Sequence, residues 1–397
     1  RKDSQRGGRS AVTAFAMEDA EAVGLIKIDV LGLKTVSVIK DCLAKITERL
    51  GIDVRAQSLA LDDPKVFENF NNVNTVGVFQ ADAAAYRNLI ERMGIDNFSD
   101  LVVSNALVRP GALLSQGQRY IDCKKGNAKP KYPNEIVKPI LEETYGTVIF
   151  QEQLMQMSVL LADFTWSEAD SLRKIIGKKR DAADFDQYRD KFIQNAIITP
   201  KAAQKMWSEF ELAALYMFNK SHAVAYSMLS YQTMWLKVHY PIEFIWALLY
   251  NEDAQDRITA YLMEANRMGV KVNPPDVNLS NESFSIDDDG IRFGLRNVSG
   301  CGNSAITEIL ELRPFSSIEE FNAKCSKKRV NTKLRDSLDK VGAYKSFGYA
   351  SAYDNEKYYL PILGFAINLD QDENEIDKYV TPLADFHEIN SPLTMVK

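Results

Sequence analysis

The segment Tyr216-Met217-Phe218-Asn219-Lys220-Ser221-His222-Ala223 places a phenol, an amide, an ammonium, a hydroxyl and an imidazole within seven residues. Apolar spacing from Tyr226 to Tyr240 predicts a helix just after it. Free backbone N–H groups at a helix start favour an anion, and the added lysine and histidine make this a candidate triphosphate or phosphodiester site. The competing reading is a solvated cap, with Asn219 or Ser221 accepting a backbone hydrogen bond.

A second group follows the same logic. Arg173, Lys174, Lys178, Lys179 and Arg180 put five cations within eight positions at a predicted helix end. Cations there suit the helix dipole, but five exceed what a helix end needs and point to phosphate. Leu25–Leu33 reads as a short buried strand ending near a glycine. Lys27 and Asp29 are two apart, so they share a face, as a functional pair or a surface ion pair. Glu142 to Gln153 flanks a short strand-like run with acids and glutamines, a weak signal alone.

The elements that must position these groups are mostly helical. Helix-like spacing of apolar residues recurs at Thr35–Leu50, Pro64–Asn71, Ala84–Met93, Phe98–Leu107, Ile136–Tyr145, Gln151–Ala162, Trp166–Ile176, Ala182–Ala196, Pro200–Met217, Ala223–Tyr240 and Ala254–Gly269. Breaks are expected at Arg109-Pro110-Gly111, at Gly126 through Pro133, at Gly146 and at Gly177. Val272 to Asn278 reads as a stiff linker. A small β-unit follows, Ser283–Ile286 and Ile291–Leu295 around the acidic turn Asp287–Asp289. Val298-Ser299-Gly300-Cys301-Gly302-Asn303 and its helix fit a helix-hairpin-helix element. Its glycines let backbone N–H groups approach a DNA phosphate. Lys324, Lys327, Lys328 and Arg329 add a basic tract, and Asn331–Tyr344 reads as a degenerate second half.

Composition sets the outer limits. At 397 residues, two to four domains are expected. A hydrophobic content of 46% allows large cores. The net charge of −6 argues against a histone-like protein held to nucleic acid by bulk charge, but not against local basic tracks. Four dispersed cysteines without a CxxC pair, and three histidines, argue against a zinc site and fit reduced thiols in the cytoplasm. No run is long enough to span a membrane, and none reads as a signal peptide. The chain begins with Arg1 inside a basic, glycine-containing stretch, as a fragment, a processed product or a partial chain would.

Five segments, in order, carry a resemblance. They are Lys27-Ile28-Asp29-Val30-Leu31-Gly32-Leu33; Thr75-Val76-Gly77-Val78-Phe79-Gln80; Arg109-Pro110-Gly111; Tyr145-Gly146 with Gln151-Glu152-Gln153; and Phe218 to Ala223 with Ser230-Tyr231-Gln232-Thr233 and His239-Tyr240-Pro241. From about Ala11 to Gly348 the chain resembles bacterial C-family replicative polymerases of the DNA polymerase III alpha-subunit type. The resemblance implies a mainly α fold with small β elements: a palm remnant at 1–45, helical fingers at 46–265 and a tandem helix-hairpin-helix region at 270–348. Residues 349–397 would lead to an OB-like domain.

The resemblance also implies roles. Asp29 matches the third of three catalytic aspartates that hold two Mg²⁺ ions, and Lys27 a palm lysine near the primer terminus or incoming phosphates. Arg173 and Lys174 match a basic pair on the triphosphate. Tyr216, Asn219, Lys220, Ser221 and His222 match the fingers wall around a dNTP, with His222 able to donate a proton to pyrophosphate. Arg109, Lys178, Lys179, Arg180, Ser299, Gly300, Gly302, Asn303, Lys327, Lys328 and Arg329 are the expected contacts to primer-template DNA. A sliding clamp and other replisome proteins are the expected partners, although no clamp-binding peptide stands out after Gly348.

The sequence departs from the family pattern in places. Position 174 is lysine where arginine is usual, which removes a bidentate fork. Met217 replaces a small residue, and Ala81-Asp82-Ala83 replaces Leu-Glu-Ser. The paired aspartates, thumb and PHP domain are expected upstream, in the same or another chain. The expectation is a polymerase part inactive by itself, with a phage origin entertained. A non-catalytic module that binds DNA or a replisome protein is the alternative, and a helix-hairpin-helix repair nuclease fits less well.

Overall fold

The structure is a computed structural model. It describes residues 14–353 apart from 27, 29–31, 179–181, 215, 288–289 and 352. Lys27, Asp29, Lys179 and Arg180 therefore lie outside the described residues, as does the stretch beyond 353 expected to lead to an OB-like domain.

Eighteen α-helical segments are described. The first five are α1 (Met17–Ala22), α2 (Lys34–Leu50), α3 (Pro64–Asn71), α4 (Ala84–Met93) and α5 (Phe98–Leu107). Next come α6 (Pro110–Ala112), α7 (Gln118–Lys124), α8 (Lys138–Leu141), α9 (Gln151–Ala162), α10 (Trp166–Lys178), α11 (Ala182–Asn195) and α12 (Pro200–Ala214). The series ends with α13 (Lys220–His239), α14 (Pro241–Tyr250), α15 (Gln255–Arg267), α16 (Asn303–Leu312), α17 (Ile318–Lys324) and α18 (Thr332–Lys340).

Local chemistry explains many of the boundaries. Asp63 caps α3 by accepting from the Lys65 N–H, with Pro64 at the first helical position. Asn97 caps α5 through the Asp100 N–H, and Asn331 caps α18 through the Leu334 N–H. Gly51, at φ +69°, closes α2 in the left-handed conformation a glycine adopts without strain.

Three described β-strands form one sheet in the order β1-β3-β2: β1 (Val272–Asn273), β2 (Ser285–Asp287) and β3 (Gly290–Arg292). β1 runs parallel to β3, with Val272 beside Ile291. β2 and β3 are antiparallel, with Ile286 beside Ile291.

Four apolar cores are arranged along the chain. The first joins α3, α4, α5 and α7 to α13. The second joins α2, α14 and α15 to Phe284, Ile291 and Phe293 of the sheet unit. The third lies within α8 to α12 around Phe192, Trp207 and Phe210. The fourth is the interior of the region from Val277 to Tyr344. The four cysteines are buried free thiols.

Helix α13 ties the first two cores together. Its buried polar side chains satisfy loop backbone groups that would otherwise be orphaned. Ser230 Oγ donates to the Phe79 carbonyl (3.0 Å), and Thr233 Oγ1 accepts from the Phe79 N–H (3.1 Å). The Tyr231 hydroxyl donates to the Ala60 carbonyl (2.8 Å), and Gln232 Nε2 to the Ala56 carbonyl (3.0 Å). These bonds explain why Ser230-Tyr231-Gln232-Thr233 and Val78-Phe79-Gln80 belong to one fold.

Several sequence expectations need correction. Of the strand expected over Leu25–Leu33, Leu25, Ile26 and Ile28 are exposed and not in a strand, and residues 27 and 29–31 lie outside the described residues. The helix expected over Ile136–Tyr145 is split into two 3-10 turns around the four-residue α8, which carries Pro139 near its start. The break expected at Arg109-Pro110-Gly111 falls at Val108 and Arg109, between α5 and α6, and from Pro110 the chain is helical again, α6 running into a π-helical turn, Leu113–Gly117. Val272 and Asn273, expected in a linker, form β1. Helix α13 starts three residues earlier than its apolar pattern suggests, because Asn219 caps it. Asp287 pairs with Arg292 at 2.5 Å, which secures the β2–β3 turn.

Candidate nucleotide and DNA interface

The candidate wall is assembled around one isolated parallel bridge, Phe150 beside Phe218. The Gln151 N–H donates to the Phe218 carbonyl (2.9 Å), and the Phe218 N–H to the Ile149 carbonyl (2.9 Å). The bridge sits where the first and third cores meet, with Ile149 and Phe150 in one and Val148 and Met217 in the other. It brings the start of α9 against the start of α13.

Each residue of Gln151-Glu152-Gln153 then has a separate task. Buried Gln153 accepts from the Ile149 and Phe150 N–H groups (2.9 and 3.0 Å) and donates to Thr144 Oγ1 (2.8 Å). That locks the turn ending in Tyr145-Gly146, where Gly146 has φ +79° and a methyl would overlap the Lys131 carbonyl. Glu152 accepts from the Lys220 backbone N–H (2.9 Å), filling a donor at the α13 N-terminus. Gln151 Oε1 accepts from Arg173 Nη1 (3.2 Å), linking α10 to the bridge.

Arg109 Nη2 donates to the Tyr216 carbonyl (2.6 Å), and the guanidinium stacks 4.5 Å from the Phe218 ring centroid. Gly111 lies under the Tyr216 ring, where any side chain would overlap it. Asn219 Oδ1 accepts from the His222 N–H (2.8 Å) and the Ser221 hydroxyl (2.6 Å). His222 is exposed and packs 4.0 Å from the Tyr226 ring and 5.4 Å from Phe218. Lys220 Nζ lies 2.5 Å from Glu143 Oε1 and 5.6 Å from the Phe150 ring centroid.

Arg109, Arg173, Lys174, Tyr216, Asn219, Lys220, Ser221 and His222 are thus gathered on one rim by named bonds. The cations are partly neutralised. Asp170 takes Lys174 at 2.6 Å and Arg173 at 2.8 Å. Those two cations, Lys174 first, hold the Asp170 carboxyl below its usual range. Lys178 ends α10, but its side chain lies outside the description, with Lys179 and Arg180.

The cap reading of Asn219 holds, and it leaves the imidazole of His222 exposed on the same helix start. Gln151, Glu152, Glu143 and Asp170 are the rim residues that sequence reasoning did not select. The acid- and glutamine-rich run at 142–153 signalled the first three, and Gln151-Glu152-Gln153 also belongs to the segments that carry the resemblance.

The second candidate surface lies in the fourth core region. Gly300 has φ +76°, and nothing lies within 4 Å of a methyl added at Gly300 or Gly302. The backbone there is open to a close approach. Gly302 caps α16, which starts at Asn303, and Ser299 precedes the turn. Lys327, Lys328 and Arg329 are exposed in the turn after α17. That turn is tied to α16, because Ser326 N–H and Oγ donate to the Glu308 carboxylate (3.0 and 3.1 Å). Glycine turn and basic turn therefore share one support.

Among the described residues no three His, Cys, Asp or Glu side chains come together to hold a metal ion. Asp29, the expected metal ligand, lies outside those residues. No helix among the described residues is long and apolar enough to cross a membrane.

Comparison with known proteins assigns the two regions to a class. Residues 35–199 match the bacterial DNA polymerase III alpha subunit finger domain, and residues 269–352 match a helix-hairpin-helix motif family. The chain is 39% identical over 341 residues to DNA polymerase III subunit alpha of Aquifex aeolicus, covering 84% of this chain and 29% of that protein. It is 38% identical over 360 residues to the Pasteurella multocida subunit, covering 86% and 31%. Identity to the Escherichia coli subunit is 36% over 362 residues, covering 86% and 31%. The chain belongs to the bacterial DNA polymerase III alpha-subunit family and carries its finger domain and helix-hairpin-helix region. It spans 28% to 33% of the length of such relatives.

Proposed function

We propose that the chain supplies the nucleotide-facing fingers and the DNA-gripping region of a DNA-templated DNA polymerase acting in replication. The observation that carries this reading is the Phe150–Phe218 bridge, which gathers Arg109, Arg173, Lys220 and His222 on one rim. Cations on a rigid rim beside a helix N-terminus stabilise phosphate charge without reorganising during reaction. Lys220, Arg173 and Lys174 would take the triphosphate. Tyr216 and His222 would face the base or sugar, and His222 would offer a proton to departing pyrophosphate. Gly300, Gly302 and Asn303, with Lys327, Lys328 and Arg329, would hold duplex DNA through its phosphates, independent of sequence.

By this reading residues 1–45 end the palm, 46–265 form the fingers, 270–348 grip DNA and 349–397 lead towards an OB-like domain. Asp29 would supply one carboxylate of a Mg²⁺ site completed by palm residues in the same or another chain. Such ions, when bound, activate the primer hydroxyl and neutralise the leaving group. One aspartate does not hold two cations, so these 397 residues alone do not extend a primer. The setting would be cytoplasmic, with a sliding clamp and replisome proteins as partners.

Primer extension with four dNTPs tests this, using the chain alone, with a palm-bearing polypeptide, and as Asp29→Ala. Extension that needs the added part and vanishes in the variant is expected. No extension in any pairing, with salt-sensitive DNA binding intact, would leave a non-catalytic binding module instead.

A further inference from the structure

Three described cations of the wall, Arg173, Lys174 and Lys220, are held by carboxylates of the chain itself, but not all in the same way. Asp170 sits on α10 one turn before Arg173 and Lys174, so it moves with them. Lys220 is held by Glu143, 77 residues away in sequence, at 2.5 Å. Glu143 stands on the turn that Gln153 and Gly146 lock in place, so its backbone is fixed. Its side chain and that of Lys220 are each more than a third exposed, so the pair can open at low cost. Glu152 already occupies the Lys220 backbone N–H, leaving the Lys220 ammonium as the donor an arriving anion would seek.

We propose that Glu143 is a built-in competitor for Lys220, occupying its ammonium until the phosphates of a nucleoside triphosphate displace it. This rests on the reading of the rim as a nucleotide site. A triphosphate outcompetes Glu143 because it brings several negative charges and spans more than one cation. The Glu143 carboxylate also repels incoming phosphate while it remains on the rim. Removing its charge frees the ammonium in advance.

The test is titration of a base-labelled fluorescent dNTP onto the 397-residue chain. The proteins compared are wild type, Glu143→Gln, Lys220→Met and the double variant. Glu143→Gln keeps the shape and the amide's hydrogen-bonding capacity, so folding is spared. Its affinity should rise about threefold, what loss of a half-exposed ion pair is worth. In the Lys220→Met background the same change should raise affinity by clearly less, since only the relief of repulsion remains. Equal or weaker binding by Glu143→Gln, with wild type binding and Lys220→Met impaired, would overturn the proposal and make Glu143 a group that positions Lys220. If wild type does not bind, or Lys220→Met binds equally well, the nucleotide-site reading falls and the proposal falls with it.

Discussion

Lys237→Met should destabilise the chain by about 3 kcal/mol, the lower end of the cost of breaking a buried ion pair. The ammonium is 2% exposed and lies 2.6 Å from Glu264 Oε1, itself 4% exposed. It also donates to the carbonyls of Asn74 (2.8 Å) and Val76 (2.7 Å). Methionine keeps the apolar stem but orphans both carbonyls, each an added penalty of about 1 kcal/mol or more. Arg267 limits the damage, because its guanidinium grips both Glu264 oxygens (2.6 and 2.8 Å). The assay is urea unfolding followed by tryptophan fluorescence, reading the midpoint of the transition that contains α13. A shift worth under about 1 kcal/mol would refute the reasoning that this cluster anchors α13.

The same lysine has a pH signature. Burial pulls it down from 10.5 to about 8, outweighing the attraction of Glu264. Between those values the unfolded chain binds more protons than the folded one, so this group makes stability rise with pH across the window. Lys237→Met should lose that rise, seen as a flatter midpoint-against-pH curve from about pH 8 to 10. Gly111→Ala would force the Tyr216 ring aside. Affinity for a labelled dNTP should fall about tenfold with little change in thermal midpoint, the cost of misplacing one contact of a preformed site. An unchanged affinity would mean Tyr216 does not face the nucleotide. Alanine at Lys327, Lys328 and Arg329 together should lower the slope of log affinity against log salt by about 2 to 3, at about 0.9 per phosphate contact. An unaltered slope in duplex binding would remove that turn from the DNA surface.

Local signals made much of the helical frame legible. Apolar spacing places helices at Pro64–Asn71 and Phe98–Leu107, and the structure starts α3 and α5 there with Asp63 and Asn97 as caps. The turn at Gly146 is legible from the glycine, but the interruptions within 136–145 are not, because the apolar spacing there is helical and only Pro139 departs from it. β1 escaped because a two-residue strand has no period, and its partner Ile291 lies 19 positions on. The rim cations were legible by type and spacing. Two of their partners were not: Glu143 reaches Lys220 through the Phe150–Phe218 pairing, and the Gln151 amide reaches Arg173 between α9 and α10. Asp170 was within reach of a sequence argument, since it stands three and four positions before its partners.

The central claim is that the rim around Phe218 receives a nucleoside triphosphate. Photolabelling with a base-azido dNTP, followed by mass spectrometric mapping of the modified residues, tests it most directly. Label confined to Tyr216–His222 and neighbouring rim segments, and abolished by excess unlabelled dNTP, is the expected result. Competable label elsewhere, for example in the groove lined by Lys45, Trp246 and Tyr250, would contradict the account.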